Sequence, residues 1–133
     1  MAGCARAPPQ ICLKIRFQAD ADLRPSIGKG LCHRYPWIDF RFASGIIPDA
    51  MEDLDVLLLA ARDSRVLVSA DVSTMSMHFY DFTRKHNSPG LILIPGSRTV
   101  SQAIDDLFAA WTFWPAARLR NQLLWPSDIY KHF

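Results

Sequence analysis

Four consecutive aliphatic residues, Leu91-Ile92-Leu93-Ile94, follow the turn Ser88-Pro89-Gly90 and leave no polar position to face water. A strand reads this way when both of its faces are covered, as an inner strand is in a parallel sheet carrying helices on either side. The rest of the chain must then supply flanking strands and covering helices. Ile11-Cys12-Leu13-Lys14-Ile15-Arg16-Phe17 alternates with the period of a strand, and Arg65-Val66-Leu67-Val68-Ser69-Ala70-Asp71 is a short β-branched run. Trp37-Ile38-Asp39-Phe40-Arg41-Phe42 sets Ile38, Phe40 and Phe42 on one face and Asp39 and Arg41 on the other, a half-exposed strand.

Between these runs the period changes to that of a helix. Leu23, Ile27 and Leu31 recur at helical spacing, with Gly28 and Gly30 weakening the later turns and Tyr35-Pro36 ending the helix. Asp53 to Asp63 reads as a second helix with almost no polar side, hence a largely buried one. Met75, Phe79 and Phe82 mark a third, capped by Ser73 or Thr74. Val100, Ile104, Leu107, Phe108 and Trp111 mark a fourth, started by Thr99 or Ser101 and ended by Pro115. Asn121 to Trp125 reads as a last strand or extended tail. Strands alternating with helices predict an α/β fold of three layers, a parallel sheet of four to five strands with helices on both faces.

At 133 residues, 50% of them apolar, the chain fits one domain over residues 11–126. A small, Pro-containing N-terminal extension over 1–10 is expected to fray, and 127–133 reads as a C-terminal tail. Net charge is +2 and the isoelectric point about 8.6, which permits an anionic partner without announcing one. Cys4, Cys12 and Cys32 are odd in number and lack CxxC spacing, so they indicate neither a disulfide framework nor a structural zinc site. With no apolar stretch of spanning length and no signal-like segment, the expected location is the cytoplasm.

Chemistry concentrates where strands end. Asp20 follows the first strand and Asp71 the third, and ligands of open α/β sheets bind outside the carboxyl ends of strands. Asp22 carries two readings, an N-cap before Leu23-Arg24-Pro25 or a further acid of the site. Asp55 likewise carries two, a first-turn acid complementing the helix dipole or a site acid among leucines that demands a cation or a cleft. Neighbouring first and third strands would bring Asp20 and Asp71 to one edge, with Asp55 close by. Clustered carboxylates repel one another and hold hard cations, so oxygen-only ligands suit Mg²⁺ or Mn²⁺ rather than zinc. His78 has no partner at ligand spacing and reads as solvated or structurally hydrogen-bonded.

Taken in order, Phe17-Gln18-Ala19-Asp20-Ala21-Asp22-Leu23, Asp53-Leu54-Asp55-Val56-Leu57 with Ala60-Ala61, Arg65 to Asp71, Ser88 to Pro95 and Ala103-Ile104 to Trp111 resemble the bacterial PIN-like family. That family is common in cyanobacteria, is similar to the VapC ribonuclease toxins and is often paired with a small antitoxin. The resemblance spans residues 11–126. It implies a metal-dependent endoribonuclease in which Asp20 is the first-strand metal acid, Asp55 the helix acid and Asp71 the acid after the later strand. Many relatives carry a further acid two positions past the one matching Asp71, and here that position is Ser73. A thinner metal site, or a catalytically degenerate module kept for binding protein, is therefore part of what the resemblance implies.

For an RNA substrate, Arg24, Lys29, Arg84, Lys85 and Arg98 are the cations placed to receive the backbone, although each singly also reads as solvated surface. Trp111, Phe113 and Trp114 read as an apolar surface for an antitoxin or a second copy of the chain, or else as core. A phospho-receiver domain would also place acids after its first and third strands. It needs a Lys after the last strand, however, and usually a Thr or Ser closing the fourth, where this chain has Ile94-Pro95.

Overall fold

The computed structural model describes residues 14–131; the N-terminal extension, the start of the first strand, Cys4 and Cys12 lie outside the described residues. Five strands, β1 (Phe17–Ala19), β2 (Phe40–Arg41), β3 (Val66–Ser69), β4 (Leu91–Leu93) and β5 (Leu123–Leu124), form one sheet in the order β2-β1-β3-β4-β5. Every pairing is parallel. The helices between and after them are α1 (Pro25–Arg34), α2 (Asp53–Arg62), α3 (Met75–Thr83), α4 (Val100–Phe113) and α5 (Pro126–Tyr130).

Side chains alternating along the strands feed two cores, one on each face of the sheet. Phe17, Val66, Val68 and Ile92 meet Ile27 and Leu31 of α1 and Ile104 and Leu107 of α4. Leu67, Leu91 and Leu93 meet Val56 and Leu57 of α2 and Phe79 and Phe82 of α3. Both faces of β4 are thus covered, which is why its sequence has no polar position: Leu91, Ile92 and Leu93 are all 0% exposed. Gly28 owes its place in α1 to close approach, since a Cβ there would lie 2.5 Å from a ring carbon of Phe40 and 2.6 Å from one of Phe42.

Several local expectations change. Asp22 is not a cap: α1 starts at Pro25 behind Arg24, with no side-chain capping bond, because a turn closed by the Leu23 amide on the Asp20 carbonyl intervenes. Neither Ser73 nor Thr74 caps α3 through its own side chain. Helix α2 is only one-sidedly buried, with Leu54 53% and Leu58 39% exposed, since it covers the sheet with Val56, Leu57 and Ala60, flanked by the partly buried Leu59 and Ala61. Asp39, expected on a half-exposed face, is buried because Arg65 at 2.7 Å and Arg16 at 3.2 Å pair with it beneath the sheet edge. The C-terminal tail begins as α5, whose Ile129 is fully buried and accepts a hydrogen bond from Trp114 Nε1 at 3.0 Å. Helix α4 does carry the expected Thr99 cap, in a capping box with Gln102.

Candidate functional site

The strand order reverses direction at the β1/β3 pair, where one connection runs out to β2 and the rest of the chain builds towards β5. In a doubly wound sheet of this order that is the switch point, and the crevice beyond its carboxyl ends is the ligand position. Ala19 stands in register with Val68, and the Asp20 amide continues the ladder onto the Val68 carbonyl at 2.8 Å. Asp20 and Ser69 are thereby set side by side as the strands end.

Ser69 organises the edge. Its hydroxyl lies 2.9 Å from Asp20 Oδ2 and 3.3 Å from Asp22 Oδ1, so two carboxylates share one proton donor. The Asp71 amide donates back to Ser69 Oγ at 3.1 Å. Asp20 takes a second bond from the Ala21 amide at 2.8 Å and Asp22 one from the Ala70 amide at 3.2 Å. Burial raises the Asp20 carboxyl pKa above its ordinary value, against the Ser69 and Ala21 hydrogen bonds, and the charges of Asp22 and Asp53 push it the same way. Holding a charge at Asp20 therefore carries a desolvation cost, a feature that functional sites and structural networks share.

A second bridged pair stands beside the first. Thr74 Oγ1 donates to Asp71 Oδ2 at 2.6 Å and lies 3.4 Å from Asp53 Oδ2, which also contacts His78 Nδ1 at 2.8 Å. The other Asp71 oxygen receives the amides of Ser73 and Thr74 and the Ser73 hydroxyl, at 3.1, 3.1 and 2.9 Å. Burial works to raise the Asp71 pKa, but the bonds from Thr74 and Ser73 together outweigh it and hold the carboxyl below its ordinary value. Asp71 therefore organises the loop into α3, and both of its oxygens are engaged.

Of the expected acids, Asp20, Asp22 and Asp71 come together at one edge, and Asp55 does not. Asp55 is exposed on α2, and it is Asp53, two residues earlier, that reaches Thr74 and acts electrostatically on Asp20. Among the described residues, no three His, Cys, Asp or Glu side chains are grouped closely enough to hold a metal ion as they stand. Mg²⁺, however, dehydrates reluctantly and is commonly held by one or two carboxylates together with substrate phosphates. Asp20 and Asp22 are two carboxylates on the one Ser69 hydroxyl, and Asp22 Oδ2 accepts no hydrogen bond from the described residues.

Cavities flank the edge on both sides. One of about 270 Å³ is walled by Asp20, Arg24, Gly28, Phe42 and Ile47. Another, about 540 Å³, runs between α2 and α3 past Asp53, His78, Arg84 and Lys85. The five cations expected to meet RNA therefore divide. Arg24 donates to the Arg98 carbonyl, and Lys29 is exposed further along α1. Arg84 and Lys85 border the larger cavity. Arg98 is unsuited to the task, because Asp106 chelates its guanidinium at 2.9 and 2.7 Å. The expected aromatic surface also shrinks: Phe113 is 38% exposed, but Trp114 is buried against α5 and Trp111 is half-buried.

Together, fold and site define a doubly wound α/β domain with a hydroxyl-bridged acidic crevice at its switch point. No family model, curated protein or solved structure matches the chain.

Proposed function

We propose that the protein is a Mg²⁺- or Mn²⁺-dependent endoribonuclease of the PIN-like kind, the cytoplasmic toxin of a pair with a small antitoxin, with a homodimer as a further form. The observation that carries this reading is the sharing of the Ser69 hydroxyl by Asp20 and Asp22 at the switch point. Two carboxylates in reach of one hydroxyl offer a hard cation an oxygen-only seat, and a bound cation would offset the burial, and the lesser repulsion from Asp22 and Asp53, that raise Asp20. When bound, such a cation supplies a polarised water and charge stabilisation for a phosphodiester under in-line attack. Asp20 and Asp22 would hold it. Ser69 fixes both carboxylates in orientation, and Asp53 completes the negative wall through Thr74. Arg24 and Lys29 on one side, with Arg84 and Lys85 on the other, would draw the RNA backbone across the edge.

Incubation of purified protein with RNA and Mn²⁺, beside Asp20→Asn and Asp22→Asn, tests this directly. Cleavage that needs the metal and is lost in Asp20→Asn supports it. Cleavage indifferent to chelation, or surviving both substitutions, overturns it.

One observation favours a second reading. Asp71 engages both oxygens within its own turn, and Ser73 stands where the PIN-like resemblance implies a further acid, which suits a degenerate module that keeps the edge for binding protein. Manganese binding without RNA cleavage would select that reading. A receiver shares this edge as well, but Trp125 follows β5 where a lysine is required, and labelling by a small phosphodonor would be its signature.

A further inference from the structure

At the opposite end of the sheet, before the strands begin, a cavity of about 500 Å³ lies between Arg16 ahead of β1, Ser64 ahead of β3, Ser88 ahead of β4 and Arg120 ahead of β5. Its wall carries three cations, Lys14, Arg16 and Arg120, and no acid. Their charges are poorly compensated. Lys14 has no carboxylate partner among the described residues; its ammonium donates to the carbonyls of Trp111 and Thr112 at 3.1 and 3.3 Å and sits 4.4 Å from the Trp111 ring centroid. Arg16 must share Asp39 with Arg65, so one carboxylate serves two guanidiniums. The exposed Arg120 side chain meets no acid among the described residues.

A void lined by three cationic residues and no acid favours an anion placed in it. Guanidinium forks suit the several oxygens of a phosphate, with the Ser64 hydroxyl and the Asn87 amide as neutral donors at the rim. The volume falls within the ~300–1,000 Å³ of small-molecule sites, and Val66, Pro89 and Ala117 give it an apolar floor. We propose that this cavity binds a small phosphate monoester of mononucleotide size. The site is separate from the acidic edge. Strands of three to four residues, rising ~3.3 Å per residue, put the two ends roughly 10 Å or more apart.

The test is calorimetric titration of the full chain with adenosine 5′-monophosphate and, in parallel, adenosine, both with a chelator present so that no metal-held phosphate contributes. The monophosphate should bind at least tenfold more tightly than adenosine, and added salt should weaken it. Arg120→Glu, at an exposed position that leaves the fold intact, should lose at least tenfold in affinity, while Arg120→Lys retains most of it. Absence of monophosphate binding, equal binding of adenosine, or full affinity in Arg120→Glu would each overturn the proposal.

Discussion

Ser69 donates its hydroxyl to Asp20 across 2.9 Å, joining the carboxyl ends of β3 and β1 by a side-chain bond where their backbone ladder stops. Asp20 is only 7% exposed, so this bond and the Ala21 amide are what sustain its charge. Ser69→Ala should therefore weaken Mn²⁺ binding and RNA cleavage by about 10–100-fold, the usual effect of removing a group that orients a metal ligand. The same change removes a bond that lowers the Asp20 pKa. The acid limb of the pH–rate profile should move to higher pH, and a limb that stays in place would count against the assignment.

Asp20 also links stability to pH. Burial raises its folded-state pKa above the ordinary 3.8, so the native state binds the proton more tightly than the unfolded chain does. The resulting stability is complete below that ordinary value and is lost as pH rises through the raised one. Asp20→Asn carries no charge to desolvate. It should melt above the wild type at pH 7, by a margin that closes on acidification, while losing cleavage. A variant that melts lower at neutral pH would mean that the carboxylate is a structural acceptor and not a charge held for function.

The sheet and the Asp20–Asp71 edge were legible because period and punctuation are local properties. Leu91 to Ile94 has no polar position since both faces are covered, and a strand ending in Asp declares itself in one dimension. Directions set by docking were not legible. Asp53 and Asp55 both lie in the first turn of α2, and only the seating of α2 against α3 decides that Asp53 is the one facing Thr74. The leucines of α2 suggested burial all round, whereas burial depends on how much sheet lies beneath the helix. The Asp53–His78 contact was likewise beyond reach, because 25 residues and a strand separate the partners.

The buried Asp39–Arg65 pair, with the half-buried Arg16 beside it, makes the second stability prediction. Asp39 and Arg65 side chains are 5% and 8% exposed at 2.7 Å, and Arg65 Nε already lacks a hydrogen-bond partner among the described residues. Asp39→Ala would leave that guanidinium buried and uncompensated, which costs about 3–5 kcal/mol. Urea denaturation should show the loss as a lower midpoint with little change in slope. A loss below ~1 kcal/mol would show that water reaches Arg65 and replaces the carboxylate.

Tyr130 anchors α5 through its hydroxyl, which donates to the fully buried Asp106 at 2.9 Å. Burial first, then the bond and charge of Asp106, push its pKa up to about 12 from an ordinary 10.0. Because the folded-state value is raised, the stability it contributes is complete below pH 10 and is lost as pH rises through about 12. An ultraviolet titration should show a late ionisation step near pH 12, and Tyr130→Phe should remove it. The substitution should cost about 1 kcal/mol at pH 7, below the ~1.5–3 kcal/mol of a fully buried bond to a charged acceptor because Tyr130 is 41% exposed.

The sharpest separation between pattern and geometry lies in the first turn of α2. Asp53 Oδ2 contacts Thr74 Oγ1 at 3.4 Å and His78 Nδ1 at 2.8 Å, and its charge acts on Asp20; Asp55 is exposed and has no such contact among the described residues. Both are first-turn acids favourable to the helix dipole, so their amides should cost similar, small amounts of stability, a few tenths of a kcal/mol each. Their effects on cleavage should diverge. Asp53→Asn should reduce metal-dependent RNA cleavage by about tenfold or more, as expected for a group that orients a site's ligands. Asp55→Asn should cleave at the wild-type rate. Equal rates in the two variants would remove Asp53 from the site, and a loss confined to Asp55→Asn would mean that α2 turns on binding RNA to bring its other acid inward.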